Sequence, residues 1–192
     1  MRGPMIGILL AAGEAARFGA DKLAAPLPDG TPLGLASLNN LSAAVDAVVA
    51  VVRPGHAHTE AALSAHGART TVCPDAAAGM GASLAWGIRA APAASGWVNA
   101  LADMPWVRSQ TIAAITAALR AGASIAAPTC HGRRGNPVGF AAAHYPRLIA
   151  LSGDEGAKLV LAANAVTLIA TDDEGVLRDV DTRADLARRE AR

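Results

Sequence analysis

The sequence predicts an α/β protein in which a mostly parallel sheet lies between two layers of helices. Short apolar or β-branched runs alternate with alanine-rich stretches of helical length along the whole chain, an order typical of a parallel sheet with helical crossovers. Runs such as VVAVV (48–52) contain no polar residue, as expected for strands buried on both faces. No internal repeat and no proline- or glycine-rich linker interrupts this alternation, so we expect one α/β/α domain over residues 1–192.

The predicted elements follow this alternation in order. Short runs of valine, isoleucine, leucine, threonine or tryptophan predict strands at 5–10, 48–52, 70–73, 97–101, 124–127 and 166–170. Alanine-rich stretches between them predict helices at 37–45, 58–66, 80–90, 109–121, 155–163 and 183–190. In open sheets of this kind, ligands bind beyond the carboxyl ends of the strands. We therefore expect the functional residues in the loops that follow Leu10, Cys73, Leu101 and Ala127.

The composition excludes several classes of function. Hydrophobic residues make up 52% of the 192 residues, which is enough to build a core and argues against disorder. Aromatic residues make up only 3%, which leaves little surface for stacking single-stranded nucleic acid. Lys and Arg number 17 against 16 Asp and Glu, so no global field favours DNA or an anionic membrane. We expect neither a nucleic-acid partner nor a membrane partner.

Two features bear on cellular location. Arg2 followed by the apolar stretch 5–12 also fits the start of a signal peptide, but the run is short and fits a buried strand equally well. Cys73 and Cys130 lack metal-type spacing, so we expect free buried thiols in a reducing cytoplasm. The sequence therefore predicts a cytoplasmic protein.

The loop after the first strand, AAGEAARFGADK (11–22), combines small residues with two cations. Ala11, Ala12 and Gly13 let backbone N–H groups approach an anion closely, although the loop matches neither a P-loop nor a dinucleotide fingerprint. Backbone groups contribute about 0.3–1 kcal/mol toward an anion, whereas a cation about 4 Å from a phosphate oxygen contributes roughly 4 kcal/mol near a surface. A polyanion would depend mainly on Arg17, Lys22 and a metal. The same spacing also fits a plain strand-to-helix turn with two solvated cations.

Six stretches resemble a known enzyme family. LAAG (10–13), followed by RFG (17–19) and Lys22, resembles the signature loop of nucleotidyltransferases that activate sugars and cofactors. All six together resemble the molybdenum cofactor cytidylyltransferase branch, which is related to the molybdopterin guanylyltransferases. This resemblance implies a Rossmann-like sheet of the nucleotide-diphospho-sugar transferase type. The other five stretches are PDAAAGMGASL (74–84), LADMP (101–105), GRRGNPV (132–138), GDEGAK (153–158) and DVDT (179–182).

The resemblance implies an Mg²⁺-dependent reaction. Asp103 directly follows the predicted strand 97–101, and a carboxylate there suits a hard divalent cation that bridges to phosphates. The resemblance makes Asp103 and Asp181 the metal ligands, although Asp179 stands as an alternative to Asp181. Arg17 and Lys22 would bind the phosphates and, with Asp103, form the catalytic group. The implied nucleotide-binding residues are Leu10, Ala11, Ala12, Gly13, Gly81, Ala82 and Ser83.

The resemblance also implies a pocket for a pterin that bears a terminal phosphate. Arginine binds phosphate in a bidentate manner, and an asparagine can both donate to and accept from a heterocycle. Members of the branch often carry histidine at the position of Asn136. The implied substrate-binding residues are Arg134, Gly135, Asn136, Asp154 and Lys158.

The implied partners are a nucleoside triphosphate, the molybdopterin cofactor and a recipient molybdoenzyme. CTP is favoured over GTP because the loop reads LAAG, whereas the guanylyl relatives tend to read LAGG. Two alternatives stay open. One is a nucleotidyltransferase of the same fold that uses GTP in place of CTP, or a phosphorylated acceptor other than molybdopterin. The other is a catalytically silent protein that binds and delivers a nucleotide or cofactor, since Ala15 and Ala16 stand where a small hydroxyl residue is common.

Overall fold

A computed structural model of the chain describes residues 3–13, 18 and 21–186. Within these residues the strands form one mostly parallel sheet, in the order β3-β2-β1-β4-β7-β5-β6, with β8 paired to β5. The predicted α/β class is confirmed. The strands are β1 (Met5–Ala11), β2 (Ala47–Val52), β3 (Arg69–Val72), β4 (Gly96–Leu101), β5 (Ile125–Cys130), β6 (Arg133–Arg134), β7 (Val138–Ala141) and β8 (Thr167–Ala170).

The direction of the strands places many loops at one edge of the sheet. Strands β1 to β4 pair with one another in parallel. Strand β7 is antiparallel to both β4 and β5, so β5 again points in the direction of β4. Strand β8 is parallel to β5 and lies on its other side, because Ala126 pairs with Gly139 on one side and Thr167 on the other. The carboxyl ends of β1, β4, β5 and β8 therefore share one edge.

Helices cover both faces of the sheet, and alternate residues of β1 enter the two resulting cores. Leu10 belongs to the same buried cluster as Leu84, whereas Ala11 belongs to the cluster that contains Leu38. All seven residues of β1 are buried, as its unbroken apolar sequence predicts. The helices are α1 (Leu33–Ser42), α2 (Ala57–Ala65), α3 (Met80–Arg89), α4 (Ser109–Arg120), α5 (Tyr145–Leu148), α6 (Lys158–Ala162) and α7 (Arg183–Leu186).

The structure differs from the sequence prediction mainly around short elements. Strands β6 and β7 were not predicted, because β6 has two residues and β7 follows directly after Pro137 in a glycine-containing stretch. Helix α1 begins four residues earlier than predicted, directly after Pro32, which is the extended N-cap residue (ψ 135°) and whose carbonyl accepts from the Leu35 and Ala36 N–H groups at 3.0 Å each. Among the described residues, no helix is both long enough and apolar enough to cross a membrane.

Candidate active site at the carboxyl edge of the sheet

Three charged side chains from distant parts of the chain meet at the carboxyl edge. Lys22 opens a 3₁₀ helix (Lys22–Ala24), Asp103 follows β4, and Asp181 precedes α7. The Lys22 Nζ atom lies 2.8 Å from Asp103 Oδ2 and 3.9 Å from Asp181 Oδ1. The Lys22 side chain is only 12% exposed, which limits the solvent screening of this group. The structure thus brings together three of the residues that the sequence predicts for catalysis and metal binding.

Hydrogen bonds from three directions hold the loop that carries Asp103. The Ala102 N–H donates to Leu10 O at 3.0 Å, which continues the pairing of β1 and β4 past the end of the strand. The buried Ser37 hydroxyl of α1 donates to Ala102 O at 2.8 Å. The Val180 N–H donates to the backbone oxygen of Asp103 at 2.9 Å. The last bond explains how Asp181, the next residue, arrives beside Asp103.

The structure favours Asp181 over Asp179 as the partner of Asp103. Asp179 and Asp181 both line a cavity with Trp106 and Arg178, but it is Asp181 whose Oδ1 atom lies 3.9 Å from Lys22 Nζ. The turn is held by Asp185, whose Oδ2 accepts from the Thr182 N–H and hydroxyl at 2.7 Å each. Asp185 thus takes the part of the third helical residue in a capping box at the start of α7, with its carboxylate accepting from the N–H of Thr182 at the N-cap position.

A cleft of about 440 Å³ opens beside Asp103. A volume of this size is in the range of small-molecule and cofactor sites. Four of the predicted nucleotide-binding residues line it, as does Asp154 from the predicted acceptor site. The lining residues are Leu10, Ala12, Gly13, Ala76, Ala77, Gly79, Met80, Ser83, Leu101, Asp103 and Asp154.

Two glycines at the N-terminus of α3 are required by close packing against a neighbouring loop. Gly79 has a φ of +117°, and a Cβ atom there would lie 2.1 Å from Asp154 Oδ1. The Gly81 N–H donates to Gly153 O at 2.8 Å, and a Cβ atom on Gly81 would lie 2.6 Å from Ser152 O. The predicted nucleotide turn and the GDEGAK loop therefore form one continuous wall of the cleft.

Other predicted nucleotide-binding residues contact the protein itself. Ala11 is 2% exposed and enters the core on the face opposite to the one that Leu10 enters. Gly81 is buried and its N–H is already bonded to Gly153, and Ala82 is half-buried and does not line the cleft. Arg17 lies outside the described residues.

The predicted acceptor residues are divided between two places. Gly135 packs against Val176, where a Cβ atom would lie 2.3 Å from the Val176 oxygen. The Asn136 N–H donates to that oxygen at 2.9 Å, and Asn136 lines a small cavity that is distinct from the large cleft. Arg134 on β6 and Lys158 at the start of α6 are exposed and do not line the cleft. Only Asp154 of this group lines it.

The donor set fits a divalent cation that is shared with phosphates. Among residues 3–13, 18 and 21–186, no group of three or more His, Cys, Asp or Glu side chains could hold a metal ion by itself. Asp103 and Asp181 instead offer carboxylate oxygens that converge on one cation, the Lys22 ammonium. Mg²⁺ is typically held by one or two carboxylates plus substrate phosphates and water, so a two-carboxylate site is appropriate.

The thiol nearest the cleft is a structural group. Cys73 and Cys130 are both free and buried, as the sequence predicts. Burial raises the pKa of the Cys73 thiol, which outweighs the opposing hydrogen bonds from the Asp75 backbone and Ser83. A raised pKa keeps the thiol protonated at neutral pH, so Cys73 is a poor nucleophile.

Comparison with known proteins identifies the family. The model of the MobA-like NTP transferase domain matches residues 7–168. The chain belongs to the MobA-like NTP transferase family. Nucleotidyltransferases of this family are metal-dependent and bind a nucleoside triphosphate and a phosphorylated acceptor.

Individual relatives of this MobA-like domain agree with its sequence and fold. It is 36% identical over 196 residues to the purine catabolism protein PucB of Bacillus subtilis (strain 168), across 95% of this chain and 94% of PucB. Rv0371c of Mycobacterium tuberculosis H37Rv matches with a TM-score of 0.85 at 28% identity over 97% of each chain. A complex of Rv0371c with manganese matches with a TM-score of 0.77 at 26% identity over 96% of each chain.

A more distant relative shares the fold. Molybdopterin-guanine dinucleotide biosynthesis protein A from Archaeoglobus fulgidus matches with a TM-score of 0.70 at 18% identity over 95% of each chain. The nucleotide-diphospho-sugar transferase type of fold, implied by the sequence motifs, is therefore confirmed.

Proposed function

We propose that this MobA-like NTP transferase is an Mg²⁺-dependent cytidylyltransferase that transfers CMP from CTP to the terminal phosphate of molybdopterin. The observation that supports it most strongly is the convergence of Lys22, Asp103 and Asp181 beside a cleft of about 440 Å³. A cation between two carboxylates at the edge of a nucleotide-sized cleft suits the binding of a metal-bound triphosphate. The resemblance of the DVDT and LADMP stretches supports the same assignment.

In the proposed reaction, an oxygen of the acceptor phosphate attacks the α-phosphorus of CTP. The bond between the α-phosphorus and the oxygen bridging to the β-phosphate breaks, and pyrophosphate leaves with that electron pair. The attacking oxygen is already anionic, so the chain needs no general base and acts by positioning and charge neutralisation. Lys22 would bind the triphosphate, together with Arg17 by resemblance.

Asp103 and Asp181 would hold the Mg²⁺ ion through their carboxylate oxygens. When bound, the ion neutralises negative charge on the triphosphate. The manganese complex of Rv0371c supports a divalent cation in this family. For the ion to be held there, the Lys22 ammonium would have to leave the two carboxylates, and it would then be available to contact a phosphate.

The preference for CTP is proposed from the second alanine of LAAG. Ala12 lines the cleft, whereas Ala11 faces a core on the other side of β1. A methyl group at position 12 narrows the cleft in comparison with the glycine of LAGG, which favours the smaller pyrimidine base. Ala12→Gly should therefore raise the ratio of kcat/KM for GTP to that for CTP, whereas the matched Ala11→Gly variant should leave the ratio unchanged.

The choice of acceptor is supported by the motifs and by the relative from Archaeoglobus fulgidus named for molybdopterin-guanine dinucleotide biosynthesis. The proposed acceptor contacts are Asp154 and Lys158 on one loop and Arg134, Gly135 and Asn136 on the other. The product would pass to a molybdoenzyme in the cytoplasm.

Pyrophosphate release tests the proposal directly. The wild-type protein is incubated with molybdopterin, Mg²⁺ and each nucleoside triphosphate in turn, and CTP should give the fastest release. Asp103→Ala should abolish release and change the melting temperature by only a few degrees, whereas Asp172→Ala, at a position 90% exposed, should remain active. Release with GTP and none with CTP would overturn the base assignment, and full activity of Asp103→Ala would remove Asp103 from the reaction.

A further inference from the structure

The segment 171–181, which we call the strap, connects the edge of the sheet to the candidate active site. It starts after β8, which pairs with β5, and ends at Asp181 beside Lys22. Strands β7 and β5 separate β8 from β4 in the sheet, so the strap has to run along the carboxyl edge to reach Asp103. The position of the Asp181 carboxylate therefore depends on what holds the strap.

A buried carboxylate within the strap connects it to the start of helix α4. The side chain of Asp173 is 2% exposed. Its Oδ2 atom accepts from the Arg108 N–H at 2.8 Å and from the Thr111 hydroxyl at 2.6 Å. Its Oδ1 atom accepts from the Gly175 N–H at 3.1 Å. Oδ2 thus accepts both hydrogen bonds from the beginning of α4, whereas Oδ1 accepts the hydrogen bond from the strap and lies 3.7 Å from Arg108 Nε.

The helix itself explains why a carboxylate is needed at this place. The N-cap of α4 is Arg108, which makes no side-chain cap hydrogen bond. The first N–H groups of a helix need acceptors, and a negative group there is stabilising. Capping α4 requires only the Oδ2 atom, however. The bond from Oδ1 to Gly175 is directed into the strap.

Beyond Asp173, the strap is fixed to the two loops that carry predicted site residues. Gly175 lies so close to Trp106 that a Cβ atom would come within 2.2 Å of the Trp106 backbone oxygen. The Val176 oxygen accepts from the Asn136 N–H at 2.9 Å, and the Val180 N–H donates to the Asp103 oxygen at 2.9 Å. A displacement of the strap at Asp173 would therefore also change the position of Asp181.

We propose that Asp173 is a positioning residue that sets the place of Asp181 relative to Asp103, and through it the affinity for the divalent cation. The inference rests on the proposed role of Asp181 as a metal ligand. The hydrogen-bond partners of the Asp173 carboxylate are Arg108, Thr111 and Gly175, none of which lines the cleft, so Asp173 acts on the site indirectly, by holding the strap against the start of α4.

The test compares Asp173→Asn with Thr111→Val by titration of the full chain with Mn²⁺ alone, followed by the loss of the free-ion electron paramagnetic resonance signal. An asparagine has one oxygen and one NH₂ group where the carboxylate has two oxygens. The NH₂ group faces a backbone N–H donor whether it points toward α4 or toward Gly175, so the hydrogen bond on that side is lost. Thr111→Val removes a bond to Oδ2 and keeps the bond from Gly175. We expect Asp173→Asn to weaken Mn²⁺ binding about tenfold and Thr111→Val to leave it within about twofold.

A second variant covers the case in which Asp173→Asn does not fold. Gly175→Ala forces the strap away from Trp106 and keeps the hydrogen bonds between Asp173 and the start of α4. It should weaken Mn²⁺ binding to about the same degree as Asp173→Asn. Wild-type affinity in Asp173→Asn, or in Gly175→Ala when the first variant cannot be purified, overturns the inference. Equal weakening in Thr111→Val and Asp173→Asn overturns it as well, because that result reflects general loss of stability.

Asp181→Asn separates this inference from the proposed function. If Asp181→Asn binds Mn²⁺ as the wild type does, the assignment of Asp181 as a metal ligand fails and the inference fails with it. If Asp181→Asn binds weakly and Asp173→Asn binds normally, the inference alone fails.

Discussion

Replacing Lys22 with methionine should make the apoprotein bind Mn²⁺ more tightly while it abolishes most of the activity. The Lys22 ammonium lies 2.8 Å from Asp103 Oδ2 and 3.9 Å from Asp181 Oδ1, so a metal ion held by these two carboxylates, as proposed, would have to displace it. A charge pair at about 4 Å is worth about 1 kcal/mol in water and about 4 kcal/mol at the effective dielectric of a protein surface.

Solvent screening sets the expected size of this effect. The carboxylates of Asp103 and Asp181 are 27% and 49% exposed, which places the attraction to Lys22 toward the lower end of that range. About 1.4 kcal/mol corresponds to a tenfold change in affinity. We therefore expect Lys22→Met to bind Mn²⁺ about tenfold more tightly in the absence of nucleotide. Turnover should fall about 100-fold because the cation that we propose contacts the triphosphate is lost.

Mn²⁺ titration of the nucleotide-free protein measures the effect, with Lys22→Arg as the matched control because it keeps the positive charge. Lys22→Arg should bind Mn²⁺ about as weakly as the wild type. If Lys22→Met binds Mn²⁺ no more tightly than Lys22→Arg, the ammonium does not compete with the ion, and the two carboxylates are not the metal site.

Three further predictions concern the cleft and the stability of the fold. Gly79→Ala should lower both turnover and melting temperature, because φ is +117° and the new Cβ atom would lie 2.1 Å from Asp154 Oδ1. Gly30→Ala is the control for backbone strain alone: φ there is +86°, but no atom lies within 4 Å of the new Cβ atom, so this variant should stay active. Burial lowers the pKa of His144 from its ordinary value of 6.5. The stability that depends on the neutral imidazole is therefore fully present above pH about 6.5 and is lost as the pH falls through the lowered pKa. Urea unfolding should then show a smaller loss of stability between pH 7.5 and about 5.5 in His144→Gln than in the wild type. A hydrogen bond from the Met5 N–H lowers the pKa of Asp46, so the ionised carboxylate stabilises the fold above pH about 4 and this stability is lost at lower pH. Asp46→Asn should lack this contribution, so its free energy of unfolding should fall less than that of the wild type in an acid titration.

The regular part of the fold could be predicted because it depends on local pattern. The unbroken apolar run of β1 and the run 48–52 read as buried strands, and both are central strands of the sheet. Strand β7 could not be predicted in this way. Its four residues VGFA follow Pro137, and they become a strand because β4 and β5 provide partners on both sides. Such pairing is a property of the tertiary structure.

The candidate site was predictable to a similar extent. Lys22, Asp103 and Asp181 were named from motifs, and the structure brings them together. The preference for Asp181 over Asp179 rests on the 3.9 Å distance between Lys22 Nζ and Asp181 Oδ1, a tertiary contact that no local pattern contains. Asp173 was not predicted at all. In the sequence it is one acid of TDDEG, and nothing distinguishes it from its neighbour Asp172, although one carboxylate is buried and the other is 90% exposed.

The separation of the three site residues along the chain has a consequence for the order in which the protein matures. Lys22 and Asp103 lie 81 residues apart, and Asp181 is synthesised after strands β1 to β8 of the described structure. The nascent chain can pair β1 with β4 and bury Trp97 before the second carboxylate exists. In refolding of a variant that keeps Trp97 as its single tryptophan, fluorescence should recover before pyrophosphate release does, since the proposed activity also requires Asp181 to dock against residues far away along the chain.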